Sequence, residues 1–227
     1  MREQWRRALA TRFLMCTLAV GFGSLLLRAA SAAALPAPDL FDQIYNRGRG
    51  IQTSLKTVTA TFTETTTSSL LSRPLVASGT LAVERPSRIV LRYSAPEARI
   101  LLIDQDKMTL DWPSRAVRQQ TDVAAALRRV DKYFLDKSPD ELRRNFDITA
   151  IEATDRPGTW RVTMVPRRKQ IQQGIIKLDL WIDRTSLLLE AMRMTFPNAD
   201  TKLMAFEKVL VNGPVDRSLF SLTDPPK

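Results

Sequence analysis

Polar and apolar residues alternate along most of this chain, the period of a β-strand with one face buried. The alternation begins at Val58, Ala60 and Phe62, which are interleaved with Thr57, Thr59, Thr61 and Thr63. It returns in Leu81 and Val83 ahead of Arg85-Pro86, in Ile89, Leu91 and Tyr93 up to Ala95-Pro96, and in Met108, Leu110 and Trp112 up to Pro113. Ile148 stands in a strand before the Asp155-Arg156-Pro157-Gly158 turn, after which Trp160, Val162 and Met164 run to Pro166. Ile176, Leu178, Leu180 and Ile182 alternate with Lys177, Asp179 and Trp181; Met192, Met194 and Phe196 alternate with Arg193 and Thr195. The Pro197-Asn198-Ala199-Asp200 turn then leads to Met204 and Phe206. With turns this short, the pattern predicts an antiparallel meander, wrapped or strongly curved.

The period changes to that of a helix in two places. Leu40, Ile44, Ile51 and Leu55 follow Pro38-Asp39 at near-helical spacing, which predicts an amphipathic N-terminal helix weakened at Gly48 and Gly50. Between Thr121 and Asn145, Val123, Leu127, Val130 and Phe134 form one helical stripe, and Ser138-Pro139-Asp140-Glu141 matches a capping box with proline at the first helical position. A helical pair inserted between strands must bury its stripe against the sheet, so it is expected to cover one opening of the curve.

The first residues belong to neither pattern. Arg2, Arg6, Arg7 and Arg12 precede an apolar run from Phe13 to Leu27, and a small-residue stretch, 29–34, follows. This is the layout of a cleaved secretory signal, and about 15 apolar residues fall short of the roughly 20 that span a bilayer. Residues 1–34 are therefore expected to be removed, with the mature chain beginning near Ala33 or Leu35 and residues 35–227 forming a single domain. Cys16, the only cysteine, lies inside the apolar run without the preceding small residues of a lipid-modified site, and the mature chain has no disulfide. Removing 1–34 also takes five arginines and one glutamate, which lowers the net charge from +10 to about +6. A modest positive balance suits work beside anionic membrane surfaces. The basic residues are scattered rather than gathered as nucleic-acid binding requires; the one tight triplet, Arg167-Arg168-Lys169, follows Pro166 as a charged loop would.

Composition removes most chemistry. The 227 residues contain no histidine, so neither a Ser-His-Asp or Cys-His nucleophile nor a zinc site of the usual kind can be built. No metal or cofactor is expected. With eight glycines there is no phosphate-cradling loop, dinucleotide fingerprint or serine elbow. The carboxylate pairs Asp104/Asp106 and Asp179/Asp183 have spacings that a solvated strand face or hairpin turn also produces, and no catalytic residue is assigned. Five methionines follow residue 34 (Met108, Met164, Met192, Met194, Met204), each in phase with its strand's apolar residues. Methionine adapts to irregular space, so this face would suit a flexible apolar ligand as well as ordinary core packing.

Taken in order, these segments resemble the periplasmic lipoprotein carrier family called LolA. The resemblance is carried by the secretory signal, the N-terminal helix followed by Ala60-Thr61-Phe62-Thr63-Glu64, the run Ser78-Gly79-Thr80-Leu81-Ala82-Val83-Glu84-Arg85-Pro86-Ser87-Arg88, then Tyr93-Ser94-Ala95-Pro96-Glu97, the Ile176-to-Asp183 strand and the Phe220-Ser221-Leu222 ending. It implies an α+β fold: an incomplete, strongly curved antiparallel β-barrel of about 10 to 11 strands under a lid made of the N-terminal helix and the inserted helical pair. It implies a monomeric, non-enzymatic carrier in the periplasm, which takes acylated lipoproteins from an inner-membrane exporter to an outer-membrane acceptor.

Under that resemblance the candidate acyl-binding face is Phe62, Leu81, Val83, Ile89, Leu91, Tyr93, Leu110, Trp112, Leu178, Leu180, Met192, Met194, Phe196, Met204 and Phe206, covered by Val123, Leu127, Val130 and Phe134 of the lid. Arg85 matches the family's strand-end arginine, which holds the lid; its fork of five donors suits several carbonyls at once. The chain departs from the family in having Ile89 where a large aromatic is common, Glu64 where glutamine is common, and a highly charged lid from Arg128 to Arg144. Carriage of another lipid or glycolipid, or a lipid-sensing role in envelope-stress regulation on the same fold, remain alternatives.

Overall fold

A computed structural model describes residues 39–134 and 137–222; residues 1–34, the expected signal segment, and with them Cys16, lie outside the described residues. The N-terminal helix α1 covers Leu40–Ser54, with Asp39 as N-cap accepting from the Asp42 amide at 2.9 Å. Its two inner glycines do not break it, because Phe41, Ile44 and Gly48 form a buried stripe and tertiary packing outweighs their low propensity. Six strands follow: β1 Thr57–Thr67, β2 Leu75–Glu84, β3 Arg88–Ala95, β4 Arg99–Asp104, β5 Lys107–Trp112 and β6 Val117–Asp122. After α2 (Ala124–Tyr133) and α3 (Pro139–Asn145) come β7 Phe146–Glu152 and β8 Thr159–Pro166. The short helix α4 (Lys169–Gln172) leads to β9 Lys177–Asp183, β10 Leu189–Thr195 and β11 Thr201–Val211, and a 3-10 turn, Arg217–Phe220, ends the fold.

All eleven strands form one antiparallel sheet, in the order β6-β5-β4-β3-β2-β1-β11-β10-β9-β8-β7. The expected single meander is thus two meanders, joined where the first strand pairs with the last. The sheet does not close: β6 and β7 are its two edges, and the α2–α3 segment runs from one edge to the other. The capping box forms as the residues predict, with Ser138 Oγ accepting from the Glu141 amide at 3.2 Å and Glu141 Oε2 accepting from the Ser138 amide at 2.9 Å. Helix α2 starts at Ala124 rather than near Thr121, because the chain through Asp122 is held in the ladder as the partner of Lys107.

Inward residues from both halves of the sheet, including Leu91, Leu101, Met108, Val162, Leu178 and Met194, belong to one buried cluster that also takes in Phe41 of α1 and Leu142 of α3. The outer face is not uniformly polar, which alternation alone did not foresee. Trp181 sits at a polar-phase position yet is 1% exposed, packed with Ala153 and Ala191 and flanked by the guanidinium groups of Arg193 and Arg156 at 5.1 and 5.6 Å. Val90, Ile100 and Leu102 face outward beneath Phe220. Arg92 clamps that terminal turn by donating to the Leu219 carbonyl at 2.6 Å and the Ser221 carbonyl at 2.9 Å. Strands β4 and β6 and helix α4 were not foreseen. The apolar run Ile100–Ile103 is buried on both faces and shows no alternation, whereas β6 is polar and mostly exposed. Ile176 precedes its strand and is exposed, while Ile175 is buried in its place.

One row across the sheet fixes the register of the first meander. Phe62, Gly79 and Tyr93 are neighbours on β1, β2 and β3, and the missing side chain lets the two rings meet edge to face at 5.0 Å. A Cβ on Gly79 would stand 2.1 Å from the Arg92 carbonyl oxygen and 2.8 Å from Tyr93 Cα. Both obstacles are backbone, so Gly79→Ala should lower stability by about 3 kcal/mol, read as a shift of the urea midpoint. Gly213→Ala, where a Cβ meets nothing within 4 Å, should leave the midpoint within experimental error.

Candidate functional site

Between α1 and the sheet lies an apolar cavity of about 150 Å³. Helix α1 supplies its roof through Phe41, Ile44, Tyr45, Ile51 and Gln52, and Leu142 of α3 closes one side. Its floor is the inner face around the β1–β11 seam: Val58 and Ala60 of β1, Leu81 of β2, Val162 and Met164 of β8, Leu180 and Ile182 of β9, and Phe206 of β11. Two irregularities shape the remaining wall. In β11 the pairing shifts from Thr61↔Glu207 to Thr59↔Leu210, with Lys208 at φ 52, so the alternation changes phase and Val209 and Val211 join Phe206 on the cavity side. A second shift sets Glu190 between Leu189 and Ala191 in β10, beside the Leu187–Leu189 corner that completes the lining.

The roof is tied down at several points, each individually weak. Arg85 Nη1 donates to the Gln52 carbonyl at 3.0 Å, in the last turn of α1. Tyr45 Oη donates to the Lys137 carbonyl at 2.7 Å. Arg143 of α3 donates to Asp42 Oδ1 at 2.8 Å and Asp39 Oδ2 at 2.6 Å, and its guanidinium lies 5.2 Å from the Phe41 ring centre. Arg47 and Arg184 flank the Trp160 ring at 5.1 and 5.7 Å. Partly exposed ion pairs contribute about 0 to 1 kcal/mol and a net hydrogen bond about 0.5 to 1.5 kcal/mol, so the roof is located by many contacts and locked by none. Burial pulls the Asp39 carboxyl upward, but the Asp42 amide and the Arg143 guanidinium outweigh it and hold the group below its ordinary value. A depressed carboxylate contributes its stability above the unfolded value and loses it as pH falls through the folded one, so this tie persists at neutral pH and weakens only in acid. Beside the roof, Arg49 Nη2 and Gln52 Oε1 are buried without a hydrogen-bond partner, a donor and an acceptor left open in the turn that Arg85 holds.

Residues 53–223 match the family model described as outer membrane lipoprotein carrier protein LolA. The chain belongs to the LolA family. No curated protein matches it in sequence. Among solved structures it is similar to an uncharacterized conserved protein from Thermus thermophilus, at 6% identity and TM-score 0.50, over 80% of this chain and 93% of that one. A putative outer membrane lipoprotein-sorting protein domain from Vibrio parahaemolyticus aligns at 9% identity and TM-score 0.42, over 78% of this chain and 94% of that domain. The Pseudomonas aeruginosa MucA/MucB complex aligns at 14% identity and TM-score 0.42, over 73% of this chain and 56% of that one.

On this LolA-family fold the sequence-assigned face separates into two parts. Leu81, Leu180 and Phe206 line the cavity. Phe62, Val83, Ile89, Leu91, Tyr93, Leu110, Leu178, Met192, Met194, Phe196 and Met204 are in the packed core, with Trp112 partly buried against it. Met164 is the methionine that reaches the cavity; Met108, Met192, Met194 and Met204 fill core space. Val123 is buried in the same core, Leu127 and Phe134 pack on it, and Val130 is buried on α2; none of the four lines the cavity. Arg85 is bonded to α1 through the Gln52 carbonyl. Sequence reasoning passed over Tyr45, Gln52, Leu187, Leu188, Val209 and Val211, and only the Leu187-Leu188-Leu189 run in a turn could have signalled any of them. Of the carboxylate pairs, Asp179 is 1% exposed and held by Arg193 at 3.0 Å and Thr163 at 2.7 Å, while Asp183 caps the next turn by accepting from the Ser186 amide. Among the described residues no group of three His, Cys, Asp or Glu side chains could hold a metal ion, and no helix is long and apolar enough to cross a membrane.

At the end of β1 away from the cavity, the same inward face carries a charged knot. Glu64 is 4% exposed; it accepts from Tyr93 Oη at 2.8 Å and Lys202 Nζ at 3.0 Å, with Arg99 Nη2 at 3.8 Å. The Arg99 guanidinium also lies 3.7 Å from the Tyr93 ring centre. Removing one partner of a buried pair costs about 3 to 5 kcal/mol, whereas replacing both costs far less. Lys202→Met should therefore destabilise the protein by about 3 kcal/mol, and Glu64→Gln/Lys202→Met should recover part of that loss, giving a coupling above about 1 kcal/mol in a double-mutant cycle of urea curves.

Proposed function

We propose that this protein is a periplasmic carrier that buries the acyl chains of lipoproteins under α1 and passes them from an inner-membrane exporter to an outer-membrane acceptor. The observation that carries the reading is the apolar cavity roofed by a helix held through weak polar ties. An acyl chain exposed to water costs about 0.8 kcal/mol per CH₂, so an aqueous escort must enclose it. An apolar cavity of about 150 Å³ accepts something the size of benzene, so a whole acyl chain enters only when α1 lifts and the space widens. The open acceptor on Gln52, which lines the cavity, suits the amide N–H that joins an acyl chain to a lipoprotein's terminal cysteine. LolA-family members are carriers, and the buried carboxylates of Glu64, Asp111 and Asp179 are engaged in ion pairs, which supports a role without catalysis.

Native mass spectrometry of the mature protein taken from its periplasm is the direct test. Triacylated protein or peptide released on activation is the expected result. Release of a free phospholipid or glycolipid would move the function to another lipid, and no ligand even after lipopeptide is offered would favour the sensing role. Leu180→Asp, which sets a charge in the cavity wall, should lower lipopeptide loading at least about tenfold while Leu180→Met does not. Arg85→Leu removes the bond to the last turn of α1 and should shift the balance toward the lifted, loaded state, with about tenfold more cargo retained at steady state in a release assay. Unchanged retention would remove Arg85 from the cycle.

A further inference from the structure

Helix α3 stands between two unlike environments. Leu142 points into the core and cavity and is 1% exposed, while Glu141, Arg144 and Asn145 line a hollow of about 290 Å³ on the other side. Lys132 and Tyr133 from the end of α2, Lys137 from the following segment and Arg168 from the β8–α4 turn complete it. The charges therefore come from three separate stretches of chain that only the fold brings together. Four of the lining side chains are cationic and one is acidic, and that acid, Glu141, is occupied by the Ser138 cap and lies 3.7 Å from Arg144. Arg168 is aimed by Asn145, whose Oδ1 accepts from its Nε at 2.6 Å. Arg128, Arg129 and Lys169 are also exposed on these segments, against Asp131 and Asp140, so the balance around the hollow stays positive. The charged loop expected after Pro166 forms at Arg167 and Arg168, where Arg167 pairs with Asp147 and Arg168 stands at the N-cap position of α4, and Lys169 opens that helix.

We propose that this basic hollow docks the protein on the phosphate headgroups of an anionic membrane leaflet, so that the lid side faces the bilayer. Lysines are compact, mobile point charges suited to a fluid array of phosphates, and a tyrosine among them suits the headgroup boundary. Position favours a membrane over an acidic protein. Lys137, whose side chain lines the hollow, gives its carbonyl to Tyr45 of the cavity roof, and α3 places Arg144 and Leu142 on its two sides. Headgroup contact is thereby one residue removed from the roof that must lift. The proposal rests on the carrier reading for the purpose of the docking, and its charge argument stands without it.

Vesicle co-sedimentation tests it, using the mature protein with vesicles of phosphatidylcholine alone or containing phosphatidylglycerol. Binding should be at least about tenfold stronger to the anionic vesicles and should fall with added salt. Lys132→Gln/Arg144→Gln/Arg168→Gln should lose about tenfold of that affinity, whereas Arg73→Gln/Lys107→Gln/Lys208→Gln, an equal loss of charge elsewhere, should lose less than about twofold. Equal binding to both vesicles, or equal losses in the two triple variants, would overturn the proposal, as would binding of polyglutamate in place of vesicles. Lipopeptide loading measured on the same proteins keeps the two readings apart. The hollow variant should load normally, and vesicle binding by a protein that never loads lipopeptide would sink the carrier reading while leaving the docking surface in place.

Discussion

The pairing of β1 with β11 is the constraint on which the rest of this structure depends. It joins the first strand of the chain to the last in the middle of the sheet, so each half grows outward as its own meander and β6 and β7 become the edges. The edges do not meet, and the inner face, lined with leucine, isoleucine, methionine and aromatic residues, would stand open to water without cover. Helices α1, α2 and α3 supply that cover. The seam itself is fastened by eleven-residue strands and, on the inner face, by the Glu64–Lys202 contact between them. Non-local pairing of this kind costs loop-closure entropy before it returns any contact energy, which places it late in assembly and makes its buried ion pair costly to break.

The two ends of the inner face are built to different tolerances. At one end, Glu64, Lys202, Arg99 and Tyr93 form a buried knot around the Phe62–Tyr93 ring contact, with no slack for a missing partner. At the other, the cavity roof is held by Arg85, Tyr45, Arg143 and Arg47 through bonds to carbonyls, carboxylates and a ring, most of them partly exposed. Such ties are exchanged for water at small net cost, so motion concentrates at the roof while the knot stays fixed. This asymmetry leaves the apolar cavity with one side that yields more easily than the other.

Charge follows the same division of labour. The outer face carries satisfied clusters, such as Asp179 with Arg193 and Thr163 beside Trp181, that cover an apolar patch and are spent on the fold. The lid carries a positive surplus around α3: besides Glu141 and the carboxylates that Arg143 and Arg167 engage, the partners there include neutral groups, Asn145 for Arg168 and the Tyr133 ring for Lys132. The distinction lies in what is beneath: the outer-face arginines stack on tryptophan, while the lid lysines and arginines surround a hollow.

Much of this was legible in the chain itself. Strict alternation located the strands with one wet face, and the helical stripe with its capping box located the lid, because period 2 and period 3.6 are local consequences of burying one side of a strand or helix. The missing histidines and the lone cysteine, Cys16, set limits on chemistry that no fold could lift. The order of segments was sufficient to suggest the family. Alternation has no phase memory across a bulge, however, so Val209 and Val211 could be placed on the cavity side only once Lys208 was seen to shift the register. It is also silent where both faces are covered, as for Ile100–Ile103, and where a polar-phase residue such as Trp181 finds its own shelter. The apolar face was written in the sequence; its division into packed core and open cavity was decided by the tertiary structure, because a void is a property of how distant surfaces fail to meet and no single strand carries it.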